Sequence, residues 1–175
     1  MFAYRSPTSS GVPVRVMGID PGLTRLGYGV IEEAAGKMRA LDAGVVATSK
    51  TSPLRLLAVF EQLSELMARW APGEVAVERV FMKANQKTAI GAIQAAGIAQ
   101  VTAGLGGAEV FEYAPAEVKQ SVVGTGTADK NQVRFMVSRI LGVEAPQVPD
   151  AADALAVAIT HLHCRKLNLI GAAAR

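Results

Sequence analysis

The sequence predicts an α/β domain: a mixed five-stranded sheet flanked by helices. Three observations lead there. The chain opens with three apolar-rich runs separated by turn signals; beyond residue 52, helical and strand patterns alternate; and neither a repeat nor an internal linker divides the chain. At 175 residues, half of them hydrophobic, the chain is long enough to bury a core and suits one domain. We read residues 1–13 as a flexible tail and residues 14–170 as that domain.

"VRVMGID" (14–20) reads as a strand, "PGLT" as a turn, "LGYGVIEE" (26–33) as a second strand, "AAGK" as a hairpin turn and "MRALDAGVVA" (38–47) as a third strand. Together they predict an antiparallel meander. Ser52 and Pro53 are good cap and first-turn residues, and Leu56, Val59, Phe60, Leu63, Leu66, Met67 and Trp70 recur at helical spacing. After "APGE", a fourth strand is expected over 75–81 and an Ala- and Gly-rich helix over about 85–105, whose small side chains suit close packing on a sheet or at an interface. A fifth strand (108–113), a short helix opened by Pro115, the loop "GTGTADK" and helices of roughly 130–141 and 149–165 complete the prediction.

Composition narrows the function classes without choosing one. The single cysteine, Cys164, cannot form an internal disulfide, so nothing requires an oxidising compartment and the cytoplasm is the expected location. No run approaches the roughly 18 consecutive apolar residues that span a membrane, and "MFAYRSPTSSGVP" lacks the apolar core of a secretion signal. A net charge of +3 permits a polyanionic partner without requiring one.

The chemistry lies in four acids set among apolar residues. Asp20 ends the first strand, Glu78 lies late in the fourth, and Asp150 and Asp153 share one face of the first turn of the last helix. Burying such groups costs free energy unless cations or donors compensate them. Each has a plainer reading: "GIDPG" as an Asp turn, Glu78 as an edge-strand charge facing water, "PDAAD" as a helix start with acids suited to the dipole. If the first and fourth strands are neighbours and the last helix starts over their ends, all four converge. Hard oxygen donors in that number suit Mg²⁺ or Mn²⁺. His161 and His163 are poor candidates, since His161 stands about 16 Å along the helix from Asp150.

"GIDPGLTRLGYGVIE", "VAVERVFM", "FEYAPAEVKQSVVGTGTADKNQV" and "DAADALAVAITHLH", in this order and spacing, resemble the RuvC family of Holliday-junction resolvases across about residues 14–165. The resemblance implies a ribonuclease H-like fold. It also implies a homodimeric, Mg²⁺-dependent endonuclease that nicks two strands of a four-way DNA junction symmetrically in recombination and repair, with a RuvA–RuvB branch-migration complex as partner. Carried over by position, the catalytic acids and metal ligands are Asp20, Glu78, Asp150 and Asp153, holding two Mg²⁺ per site with Mn²⁺ as a possible substitute. Some relatives have His at the position of Asp150. Two divalent ions would add four charges and take the formal balance from +3 to +7, a surface that attracts phosphates. Candidate DNA contacts are Phe81, Lys83, Lys87, Lys119, Lys130 and Arg134; for each cation the plain alternative is a solvated surface charge, and for Phe81 it is core packing. "GTGT" reads either as a phosphate cradle or as a helix connector.

Two rival classes remain. "GIDPG" is similar to the first phosphate loop of actin-like ATPases and sugar kinases, but those need a second lobe for which this chain is short. A DNA-structure binder without catalysis would gain affinity by losing the four acids that are present here.

Overall fold

A computed structural model of the chain describes residues 12–48, 54–81 and 86–173, with side chains for all of these except 86–87 and 168–173. Strands β1 (Val14–Asp20), β2 (Arg25–Ala34) and β3 (Lys37–Ala47) are followed by α1 (Leu54–Trp70), β4 (Glu74–Glu78), α2 (Gln86–Leu105) and β5 (Glu109–Tyr113). Three helices then close the chain: α3 (Pro115–Val123), α4 (Lys130–Leu141) and α5 (Pro149–Ala173). Strand order is β3-β2-β1-β4-β5. The first three strands form the expected antiparallel meander, while β4 runs parallel to both β1 and β5. The β2–β3 hairpin turns through Ala35 (φ 49°) and Gly36 (φ 78°), two residues with positive φ as a primed turn requires.

Side-chain alternation along the strands sends alternate residues to two cores. On one face Met17, Ile19, Val30, Val75 and Val77 pack with Val59, Leu63 and Met67 of α1 and Ala95, Ala99 and Ala103 of α2. On the other, Val16, Ile31 and Ala76 pack with α5 through Leu155, Ala158, Ile159 and Leu162, and with α3 and α4 through Val118, Val122, Val133 and Val137. The same alternation puts Asp20 and Glu78 on the α5 face, since each stands two or four residues from a neighbour already packed there.

Three expectations need correction. The fourth strand stops at Glu78 rather than Phe81: β1 ends at Asp20 and β5 at Tyr113, so the ladder runs out, and the last link is Arg79 N–H to Tyr113 O at 2.8 Å. Glu78 is no edge-strand charge, because β4 lies between β1 and β5. Helix α5 continues to Ala173, beyond residue 165. Ser52 and Pro53, and residues 1–11 of the expected tail, lie outside the described residues.

The Thr88–Leu105 stretch of α2 is long and apolar enough by composition to cross a membrane. Ala95, Ala96, Ala99 and Ala103 on one side of it are nevertheless buried on the sheet.

Candidate active site

The site is assembled by strand register and by two close approaches of backbone. β1 and β4 pair in parallel as far as Ile19 opposite Val77, so Asp20 and Glu78 stand one residue beyond that rung, side by side at the ends of two central strands. Helix α5 is laid over them because glycine leaves room. A Cβ at Gly18 would stand 2.0 Å from the Ala154 carbonyl oxygen and 2.7 Å from Ala158 N. A Cβ at Gly27 would stand 2.0 Å from the carbonyl oxygen of Asp150. The N-terminal turn of α5, carrying Asp150 and Asp153, therefore rests directly on β1 and β2.

Electrostatically the four acids act as one group. The Asp20 carboxyl is pushed up to about 8, first by burial, then by the charges of Glu78, Asp153 and Asp150, with Lys130 partly opposing them. Glu78 is also raised, by burial and then by Asp153, against the offsetting effects of Lys130, a hydrogen bond with Asp20 and the charge of Lys119. Asp153 Oδ2 accepts from Lys130 Nζ at 2.8 Å, and Asp150 Oδ2 from Arg25 Nε at 2.8 Å. Each α5 acid is thus engaged by a cation of the chain itself. Among the described residues, no three Asp, Glu, His or Cys side chains stand together closely enough to hold a metal ion. The donor chemistry still fits a divalent cation, because half-buried Asp20 stands among three other carboxylates whose effect Lys130 opposes only in part.

The expected DNA contacts divide. Lys119 and Lys130 flank the acids, as their effects on Glu78 and Asp20 record. Phe81 is 48% exposed, which removes core packing as its explanation. Arg134 is half-buried one helical turn beyond Lys130. Lys83 lies outside the described residues, as does the side chain of Lys87. "GTGT" joins α3 to α4: Gly124 (φ 91°) caps α3 by donating to Gln120 O, and Asp129 caps α4 by accepting from Asn131 N and Gln132 N. Both histidines are engaged away from the acids. His161 lies between Glu74 (2.7 Å) and Tyr113 (2.8 Å), and His163 meets Ser121 at 3.1 Å.

Sequence reasoning missed Arg25. The residue sits inside the quoted "GIDPGLTRLG" stretch, but no one-dimensional signal ties it to an acid 125 positions away.

The profile of the family Crossover junction endodeoxyribonuclease RuvC matches residues 16–161. The chain is a member of the RuvC family. RuvC of Syntrophomonas wolfei is 45% identical over 158 residues, covering 89% of this chain and 92% of that protein. RuvC of Mycobacterium ulcerans is 49% identical over 152 residues, covering 85% and 83%. The solved structure of Thermus thermophilus RuvC in complex with Holliday junction substrate matches with a TM-score of 0.83 at 38% identity, covering 89% of this chain and 96% of that one. A yeast mitochondrial Holliday junction resolvase, Ydc2, shares the fold at 12% identity, with a TM-score of 0.64 over 91% of this chain and 83% of that one. The fold is thus the ribonuclease H-like α/β fold of the RuvC resolvases, and the protein is a nuclease of that family.

Proposed function

We propose that this member of the RuvC family resolves four-way DNA junctions by paired, symmetric nicks, with Asp20, Glu78, Asp150 and Asp153 holding two Mg²⁺ ions, for which Mn²⁺ can substitute. The observation that carries the reading is the meeting of Asp20 and Glu78 at the ends of adjacent parallel strands beneath the acidic first turn of α5. When bound, divalent ions supply Lewis acidity toward a phosphodiester and an ionised water near neutral pH. The protein's own share is positional. β1 and β4 fix two carboxylates on a rigid sheet, α5 brings two more on one helical turn, and Lys119 and Lys130 face phosphate from α3 and α4. Phe81, exposed just beyond β4, is suited to stack on a base opened at the junction.

The working unit in this reading is a two-fold dimer joined through the outer face of α2, acting in the cytoplasm. A RuvA–RuvB complex as further partner rests on family membership alone. The test is incubation of synthetic four-way junctions and matched linear duplex with Mg²⁺, with the nicks mapped on both strands. Junctions should be cut in related strands and linear duplex left largely intact, and cleavage should stop in excess chelator. Asp20→Asn, Glu78→Gln and Asp153→Asn should each abolish cleavage while junction binding is kept or tightened, because negative charge beside phosphate is lost. Wild-type turnover in any of the three would remove that residue from the ligand set.

A further inference from the structure

Two site acids are held by cations of the chain itself, and one of those cations, Arg25, lies outside every group of residues expected to act on DNA or metal. Its backbone opens β2, whereas Asp150 belongs to the first turn of α5, so the pair spans sheet and helix. Nε donates to Oδ2 at 2.8 Å, with the Arg25 side chain 55% exposed and that of Asp150 30% exposed. An ion pair this open contributes little to stability. The seating of α5 rests instead on the contact of its backbone with Gly18 and Gly27 and on the burial of Leu155, Ala158 and Ile159. What the pair does govern is the engagement of the Asp150 carboxylate.

We propose that Arg25 is a positioning residue that engages the Asp150 carboxylate in the metal-free protein and must release it before Asp150 can take up a divalent ion. This rests on the reading that the four acids bind divalent cations. The geometry favours competition over support. A carboxylate engaged by a guanidinium offers less charge to a metal, and a fixed positive charge beside the site repels one. Lys130 holds Asp153 in the same manner, but its side chain is more exposed, at 75%, and it is already one of the residues expected to contact DNA.

The experiment is calorimetric titration of the full chain with Mn²⁺ alone, without DNA. Arg25→Gln should bind Mn²⁺ roughly three- to tenfold more tightly than wild type, the scale expected when one partly exposed competing charge is removed. Arg25→Lys keeps the charge and should stay within about twofold of wild type. In an Asp150→Asn background, Arg25→Gln should bring a smaller tightening than it does alone, because the carboxylate it competed for is gone. Circular dichroism and thermal melting establish that each variant is folded. Unchanged or weaker Mn²⁺ binding in Arg25→Gln would overturn the proposal while leaving the acid group intact as a metal site. Absence of Mn²⁺ binding by the wild type would overturn both this proposal and the functional reading beneath it.

Discussion

Asp20 keeps a proton at neutral pH in the metal-free protein, because its carboxyl is pushed up to about 8 from an ordinary 3.8. Between those two values the folded chain binds a proton that the unfolded chain has released. Stability therefore falls as pH rises across that window, since the slope follows the protons bound unfolded minus those bound folded. A divalent ion reverses the penalty by compensating the ionised form, but it must displace the proton first. Calorimetry in two buffers of different ionisation enthalpy, near pH 7, should report close to one proton released per loaded site. Thermal stabilisation by Mg²⁺ should grow from about pH 6 to about pH 8. Release of no proton at neutral pH would mean that Asp20 is already ionised beside Glu78. Glu74, at the opposite end of β4, behaves oppositely: burial would raise it, but hydrogen bonds and charge from His161 and Arg165 outweigh burial and lower it. Two glutamates on the same strand face thus differ in role. One has two donors within the fold, and the other faces further acids.

At the scale of elements, the glycines of β1 and β2 decide where the acids of α5 stand. Gly18→Ala would drive a methyl group into backbone atoms of Ala154 and Ala158, which cannot swing aside as a flexible side chain can. Overpacking of this kind costs about 1–3 kcal/mol. Gly18→Ala should therefore lower the denaturation midpoint and reduce cleavage together, whereas Gly73→Ala, with nothing within 4 Å of its added Cβ, should leave cleavage unchanged. A Gly18→Ala protein with wild-type stability and activity would mean that α5 is free to shift. The same elements mark what the sequence could and could not disclose. Alternating apolar residues and caps made the ten described elements readable, and Asp20 and Glu78 were visible as acids inside apolar strand runs. The stop of β4 at Glu78 was not visible, because Val80 and Phe81 extend the apolar pattern while the partner strands that would accept their hydrogen bonds have already ended. Gly18 and Gly27 were present in plain sight, yet local pattern cannot say which distant backbone fills the space they leave. Arg25 escaped for the same reason, since the pairing of a cation with an acid across the chain exists only once β2 and α5 are packed.

For the whole molecule, the outer face of α2 is the feature the monomer leaves unexplained. Ile90, Ile93, Val101 and Leu105 recur on one side of the helix and are 51%, 46%, 60% and 74% exposed, while Ala95, Ala99 and Ala103 on the opposite side are buried on the sheet. Gly97 and Gly104, also exposed, lie within the same stripe and allow another helix to come close. A four-way junction has approximate two-fold symmetry and needs two nicks at related positions, whereas one chain carries one acid group. A two-fold axis near α2 would give two copies of the site in fixed relation, since an isologous interface presents identical surfaces to identical strands. The substitutions Ile93→Asp and Val101→Arg, made together, place charge on that stripe without touching the buried alanines. Sedimentation at micromolar concentration should show the wild type at twice the chain mass and the double variant at once the chain mass, with the same circular dichroism. On a junction the variant should give single, unpaired nicks at a reduced rate, because each site then acts without a partner held at the related strand. A double variant that stays dimeric and still cuts both strands within one complex would move the interface elsewhere on the molecule, and a wild type that is monomeric even on junction DNA would remove the two-fold mechanism itself.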